Sequence, residues 1–275
     1  MSTPHRHKKE LGQNFLIDSR IQHKIIEHCH LSKDDVVVEI GPGQGAISRL
    51  IAPRVKRLIC IETDSDLIGP LSDEFKETNV EIIHADFLKW DISFVCHFCV
   101  GTLKPGVSKG HGNLKVIGNI PYYISTSIIE ALIAHRKQIV QAYLTVQLEF
   151  GERLAANSGG KEYGALSCFA QLHAKTDILF KISKGAFKPN PKVDSCFVCL
   201  DFSQAPQLGI KDEEQLNRLI RTAFSQRRKN ILNALSPIYP KEKVAGVLKD
   251  LSISTTARPE ELKIENFVTI ANRLV

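Results

Sequence analysis

The segment Val36-Val37-Val38-Glu39-Ile40-Gly41-Pro42-Gly43-Gln44-Gly45 limits the possible folds more than any other stretch of this chain. A β-branched apolar run favours a buried strand. The glycines that close it permit backbone conformations denied to other residues. A strand that enters such a turn and then a helix is the opening of an α/β unit, and the rest of the sequence repeats that alternation.

Apolar periodicity and turn residues predict a helix over residues 19–30, capped by Asp18, with Ile21, Ile25 and Ile26 inward. After the glycine turn comes a helix with Ile47, Leu50 and Ile51 facing in. A strand over 57–61 ends at Glu62, a helix follows over 66–76, and a strand over 80–84 leads to Asp86. Residues 92–113 read as irregular. A strand over 114–118 delivers Asn119, followed by a helix over 125–135, a strand over 141–147 and a helix over 149–156. Two late strands are expected over 178–182 and 195–202. This pattern predicts an α/β fold, a mostly parallel sheet with helices on both faces. Residues 203–210, with Pro206 and Gly209, read as a linker, and 211–235, 241–251 and 260–274 as helices. The expected division is a domain over 1–204 and a small helical domain over 205–275, which the 275 residues can accommodate.

No apolar run approaches the ~18 residues of a membrane span, and no signal-like segment follows the basic start His5–Lys9, so a soluble cytoplasmic protein is expected. The net charge of +6 favours a polyanionic partner weakly. Its distribution says more: positive residues gather at Arg6, Lys8 and Lys9, and again at Arg227-Arg228-Lys229 downstream of Arg218 and Arg221. Seven cysteines without a signal peptide read as free thiols. Cys96/Cys99 and Cys196/Cys199 have C-x-x-C spacing, but the second pair sits in a strand-like run where residues three apart face opposite ways, so no metal site is expected.

Sheets of this kind bind ligands beyond the carboxyl ends of their strands. Gly41, Glu62, Asp86 and Asn119 all fall at such ends. The glycines are spaced G-x-G-x-G, one place short of the G-x-G-x-x-G that cradles a pyrophosphate, which points to S-adenosylmethionine, a cofactor without phosphate. Gly41 and Gly43 would let the backbone approach its methionine tail, Glu62 would accept its ribose hydroxyls, and Asp86 its adenine amine.

Asn119-Ile120-Pro121-Tyr122 suits the gripping of an amino group on a flat ring. An adenine amine is a poor nucleophile because its lone pair is delocalised. The Asn119 oxygen and a carbonyl at Ile120 or Pro121 can accept its hydrogens, with proline fixing the backbone. Tyr122 can stack on the base, an effect of about 1–3 kcal/mol. Asn119, Pro121 and Tyr122 are therefore the candidate catalytic residues, acting on a base flipped from its stack with no strong general base and no metal.

These elements, together with Lys9-Glu10-Leu11-Gly12-Gln13-Asn14-Phe15-Leu16, Phe187-Lys188-Pro189-Asn190-Pro191-Lys192-Val193-Asp194-Ser195, Phe224-Ser225-Gln226-Arg227-Arg228-Lys229 and Arg258-Pro259-Glu260-Glu261-Leu262, carry a resemblance. Over residues 8–274 the sequence resembles the ribosomal RNA adenine dimethyltransferase family. The resemblance implies a Rossmann-like methyltransferase sheet with a helical C-terminal RNA-binding domain. It implies dimethylation of two adjacent adenosines in a hairpin loop near the 3′ end of small-subunit ribosomal RNA, and a role in small-subunit biogenesis, by a monomer. It places Asn14, Leu16, Gly41, Glu62, Asp86 and Asn119 at the cofactor, and Tyr122 and Phe187 on either side of the target base. Lys8, Lys9, Arg227, Arg228 and Lys229 would grip RNA phosphates. Residues 93–113 depart from the family pattern, being longer and richer in Gly, Lys and His. Competing readings are a non-catalytic ribosome-assembly or transcription-associated binding protein on the same fold, a sibling enzyme acting on large-subunit RNA, and, disfavoured by the glycine spacing, a nicotinamide dehydrogenase.

Overall fold

The computed structural model describes residues 12–95, 114–226 and 228–274. Lys8, Lys9, Arg227, Cys96, Cys99 and most of the 93–113 stretch lie outside the described residues. The chain divides into two compact units, one of residues 1–151 and 177–204, the other of residues 152–176 and 205–275.

The first unit is built on a seven-stranded sheet. Its strands are β2 (Val36–Ile40), β3 (Arg57–Glu62), β4 (Val80–His84), β5 (Leu114–Asn119), β6 (Ile139–Gln147), β7 (Lys175–Ile182) and β9 (Ser195–Asp201), in the order β4-β3-β2-β5-β6-β9-β7. Strands β2 to β6 pair in parallel, and β9 runs antiparallel to β6. Every residue of β2 is buried, as expected of a central strand covered on both faces, and this explains its unbroken apolar run. Helices α1 (Ser19–His28), α2 (Ser48–Ile51), α3 (Ser65–Glu74), α4 (Ser125–Ala134) and α5 (Leu148–Leu154) accompany the strands. Ile25, Val37, Ile51, Leu58, Leu71, Tyr143 and Phe197 belong to one continuous core.

From β2 the chain steps outward to β3 and β4, then crosses back to β5 on the other side of β2. The strand order therefore reverses between β2 and β5, and a crevice opens at such a point. The register pairs Ile40 with both Ile61 and Gly118, which brings Gly41, Glu62 and Asn119 side by side.

Some elements differ from expectation. The helix after the glycine turn is a single α-turn followed by a 3₁₀ turn, Ala52–Arg54, because Pro53 cannot continue an α-helical hydrogen-bond ladder. A two-residue ribbon, β1 (Phe15–Leu16) with β8 (Phe187–Lys188), joins segments distant in sequence and is too short to show a period. The 211–235 stretch is broken into α7 (Glu213–Ser225) and α8 (Ile231–Leu235), the second capped by the Asn230 side chain on Asn233 N–H at 2.9 Å.

The second unit is helical, with α6 (Ala165–His173), α7, α8, α9 (Lys241–Asp250) and α10 (Ile264–Leu274). Helix α6 is not predicted from the sequence, and residues 152–176 belong to this unit although they precede position 204. The reason is apolar: Tyr163, Cys168 and Leu172 share a core with Leu216, Phe224 and Phe267. Leu208 and Ile210, inside the expected linker, also pack on that core. Among the described residues no helix is long and apolar enough to cross a membrane.

Candidate active site

A cavity of about 400 Å³ opens at the strand-order reversal. It is lined by segments that end β2, β3, β4 and β5 and by the residues around β1. Gly41, Gly43, Glu62, Asp86, Asn119, Pro121, Tyr122, Asn14 and Leu16 all face it, so the structure brings together the residues predicted for the cofactor and for catalysis.

Backbone conformation and one buried acid shape the glycine turn. Gly41, Gly43 and Gly45 have φ of +65°, +59° and +75°, the left-handed region that only glycine enters without cost. At Gly43 a β-carbon would also stand 2.8 Å from the Phe15 ring. The backbone N–H of Gly43 donates to Glu62 Oε2 at 3.0 Å, and Asp64 N–H donates to Oε1 at 2.9 Å. Glu62 is thus a clamp on the turn and is 5% exposed. Burial pushes its carboxyl above the ordinary range, opposed by the backbone donors of Asp64, Gly43 and Thr63. Glu39, deeper under the turn, is raised by burial to about 7, and the Cys60 thiol donates to it at 3.6 Å. Asp86 accepts from Leu88 N–H at 3.0 Å, with Lys89 Nζ 3.7 Å away.

Asn119 is oriented by chemistry. Its amide lies 2.8 Å from the carbonyl of Asn14, which can only accept, so Nδ2 donates there and Oδ1 is left for another donor. Asn14 is itself held by its side-chain donation to Gly12 O at 3.1 Å. Pro121, at φ −59° and ψ 132°, turns the chain into the 3₁₀ turn Tyr122–Ile124. Its carbonyl accepts from Ile124 N–H at 3.2 Å, whereas no backbone donor meets the Ile120 carbonyl among the described residues. The Tyr122 hydroxyl is 2.7 Å from Ser195 Oγ, which has no exposed surface, and burial raises the phenol's pKa.

Phe187 is placed differently from the other predicted site residues of this unit. Its ring is wholly buried and is absent from the cavity wall. As a strand partner of Leu16 it packs under β1 within the core. Sequence reasoning also missed residues that face the cavity, namely Gln13, Phe15, Ile17, Leu88 and Tyr123. Gln13 and Phe15 lie inside the Lys9–Leu16 motif, whereas the exposure of Ile17, Leu88 and Tyr123 has no signal along the chain. Ser195 is visible only as the end of the Phe187–Ser195 motif. Arg228 and Lys229 are exposed between α7 and α8 in the second unit, as are Arg218 and Arg221 on α7. Cys29, Cys60, Cys168, Cys196 and Cys199 are buried free thiols, and among the described residues no His/Cys/Asp/Glu group could hold a metal.

A mainly parallel sheet, a glycine turn at its reversal, an acid ending the next strand and an amide–proline–tyrosine corner ending β5 define a Rossmann-like methyltransferase. Comparison with known proteins narrows the class. Residues 4–275 match the family model described as ribosomal RNA adenine dimethylase, and the chain belongs to that family. It is an enzyme that dimethylates adenine in ribosomal RNA. A protein of Moorella thermoacetica named ribosomal RNA small subunit methyltransferase A is 38% identical over 97% of this chain and 92% of its own length. The protein of that name from Pseudomonas aeruginosa is 38% identical over 98% of this chain and 95% of its own. A crystal structure of a dimethyladenosine transferase from Plasmodium falciparum matches with a TM-score of 0.75 at 27% identity, over 93% of this chain and 95% of that one. The 23S rRNA methyltransferase ErmE matches with a TM-score of 0.72 at 25% identity, over 95% of this chain and 99% of that one.

Proposed function

We propose that this enzyme transfers methyl groups from S-adenosylmethionine to the exocyclic amines of two adjacent adenosines in the hairpin loop near the 3′ end of small-subunit ribosomal RNA, during small-subunit assembly. The observation that carries the chemistry is the Asn119 amide, locked on Asn14 so that its oxygen is the atom offered to an incoming amine. The relatives named for the small subunit, at 38% identity over nearly the whole chain, support the choice of RNA.

The cavity residues fit the cofactor. A volume of about 400 Å³ suits one nucleoside with a short side chain. The turn at Gly41 and Gly43 admits close approach, and Glu62 can accept from the ribose hydroxyls. Asp86 can accept the adenine amine, and Asn14 and Leu16 complete the wall. When bound, S-adenosylmethionine supplies an electrophilic methyl group on a sulfonium.

The chain's own residues then act on the target adenine. Asn119 Oδ1 and the Ile120 carbonyl accept its two amino hydrogens, drawing the nitrogen lone pair out of conjugation with the ring. Pro121 holds those acceptors in fixed relation. Tyr122, with its hydroxyl tethered to Ser195, offers a ring face to the base. As the amine gains positive charge, the same two oxygens stabilise it without reorganising. The proton it then sheds is acidic enough for water to take. Arg228 and Lys229, with Lys8, Lys9 and Arg227, would hold RNA phosphates, and the helical unit would serve as an RNA-binding domain. We take the working form to be a cytoplasmic monomer.

The similarity to ErmE favours a second reading, action on large-subunit RNA, though at lower identity. Incubation with labelled methyl donor and either small-subunit particles lacking the modification or large-subunit RNA separates the two. Dimethyladenosine at two adjacent loop positions of the small-subunit RNA is expected. Label confined to large-subunit RNA, or none in either, overturns the proposal.

A further inference from the structure

Tyr122 and Tyr123 are consecutive in a 3₁₀ turn, so their side chains leave the backbone about 120° apart. Tyr122 is turned inward to Ser195. Tyr123 is turned outward, is 68% exposed, and still faces the cavity. Its ring lies against Gly12, where a β-carbon would stand 3.3 Å from Cε1 and 3.4 Å from Cδ1. Gly12 has φ +62°, so the position is doubly suited to glycine and gives the ring a flat seat.

Ile17 and Leu88 border the same cavity and are 55% and 37% exposed. Three of the large apolar side chains that the first unit exposes therefore share one mouth. Exposed apolar groups around one opening point to a binding surface. The established activity says what comes to this mouth, since an adenine must leave its stack to be methylated. Flipping that base strips one face of each neighbouring base of its partner, and an aromatic ring at the entrance can replace the loss.

We propose that Tyr123 forms a second base-stacking subsite at the rim of the cavity that Ile17 and Leu88 also line, and that it takes the nucleotide adjoining the target adenosine. The inference rests on the reading that the Asn119–Tyr122 corner takes the target base. Tyr122 serves the base inside and Tyr123 the base outside. The backbone turn that separates the two rings keeps both on one strand of RNA.

The test uses the full-length enzyme and a naked RNA hairpin with two adjacent adenosines, carrying 2-aminopurine next to the target. Stacking on Tyr123 quenches the 2-aminopurine in the complex. Tyr123→Ala should leave it bright and raise KM by about 5- to 150-fold, the scale of one base–aromatic stack, with kcat little changed. Tyr123→Phe should behave as the wild type, because stacking needs the ring and not the hydroxyl. A Tyr123→Ala variant with wild-type KM and wild-type quenching overturns the subsite. A loss seen only with assembled particles and not with naked RNA overturns the nucleotide occupant in favour of a ribosomal protein. Methylation of the hairpin by the wild type tests the underlying reading separately, since the fluorescence is read from the bound complex without turnover.

Discussion

With its Nδ2 committed to the Asn14 carbonyl at 2.8 Å, Asn119 can turn only its oxygen toward a reacting amine. Asn119→Ala should lower the methylation rate by about two to three orders of magnitude, the scale of losing one preorganised polar group at developing charge. RNA affinity should change little, since no group that meets a phosphate is removed. Parallel rate and filter-binding measurements check this, and equal losses in both would reassign Asn119 to binding. Glu39 makes a different kind of prediction. Its carboxyl rises from 4.5 to about 7 on folding because burial penalises the charged form. A raised folded value favours the protonated native state, so this contribution is complete below pH 4.5 and is lost as the pH climbs to about 7. Against Glu39→Gln, the wild type should lose thermal stability steadily across that window and run parallel above it. Unfolding temperatures measured from about pH 4 to 8 on both proteins provide the comparison, and parallel curves throughout would mean that Glu39 titrates normally.

At the scale of elements, the sheet's value lies in its register. Gly41, Glu62 and Asn119 stand at the ends of three strands that are neighbours in space, and a slip of one residue would turn the Glu62 and Asn119 side chains to the other face. Close approach of helix and strand matters as much. Gly151 lies within α5, where a β-carbon would sit 2.2 Å from Cys196 Sγ on β9. Replacing an ordinary helical glycine by alanine stabilises a helix by up to about 1 kcal/mol. Here Gly151→Ala should instead destabilise by about 1–3 kcal/mol, the usual cost of overpacking. Adding Cys196→Ala should recover much of that loss. Denaturant melts of the single and double variants decide the matter, and a stabilised single variant would contradict the packing argument. The α/β alternation, the glycine turn and the strand ends were legible because each is a local pattern of apolar period and turn residues. The β1–β8 ribbon and α6 were not. The first is two residues per strand, its partners far apart along the chain, and the second is held by apolar neighbours that are equally distant in sequence.

The whole molecule carries a cavity in one unit and exposed basic residues in the other. If Arg228 and Lys229 hold phosphates, replacing both by Gln should weaken RNA binding and reduce the slope of log affinity against log salt by about 0.7–0.9 for each phosphate no longer neutralised. Affinities measured over a salt series report this directly, and an unchanged slope would remove both residues from the interface. Sequence by itself determined the α/β class, the cofactor turn, the Asn119–Tyr122 corner and the family, because these depend on short-range chemistry that a linear string displays. Tertiary structure alone decided that Phe187 is buried in the core, that Ser195 holds Tyr122, that residues 152–176 join the helical unit, and that Tyr123 stands open at the cavity mouth. Exposure and partnership depend on what the rest of the chain brings alongside a residue, and those neighbours are set only when distant segments pack.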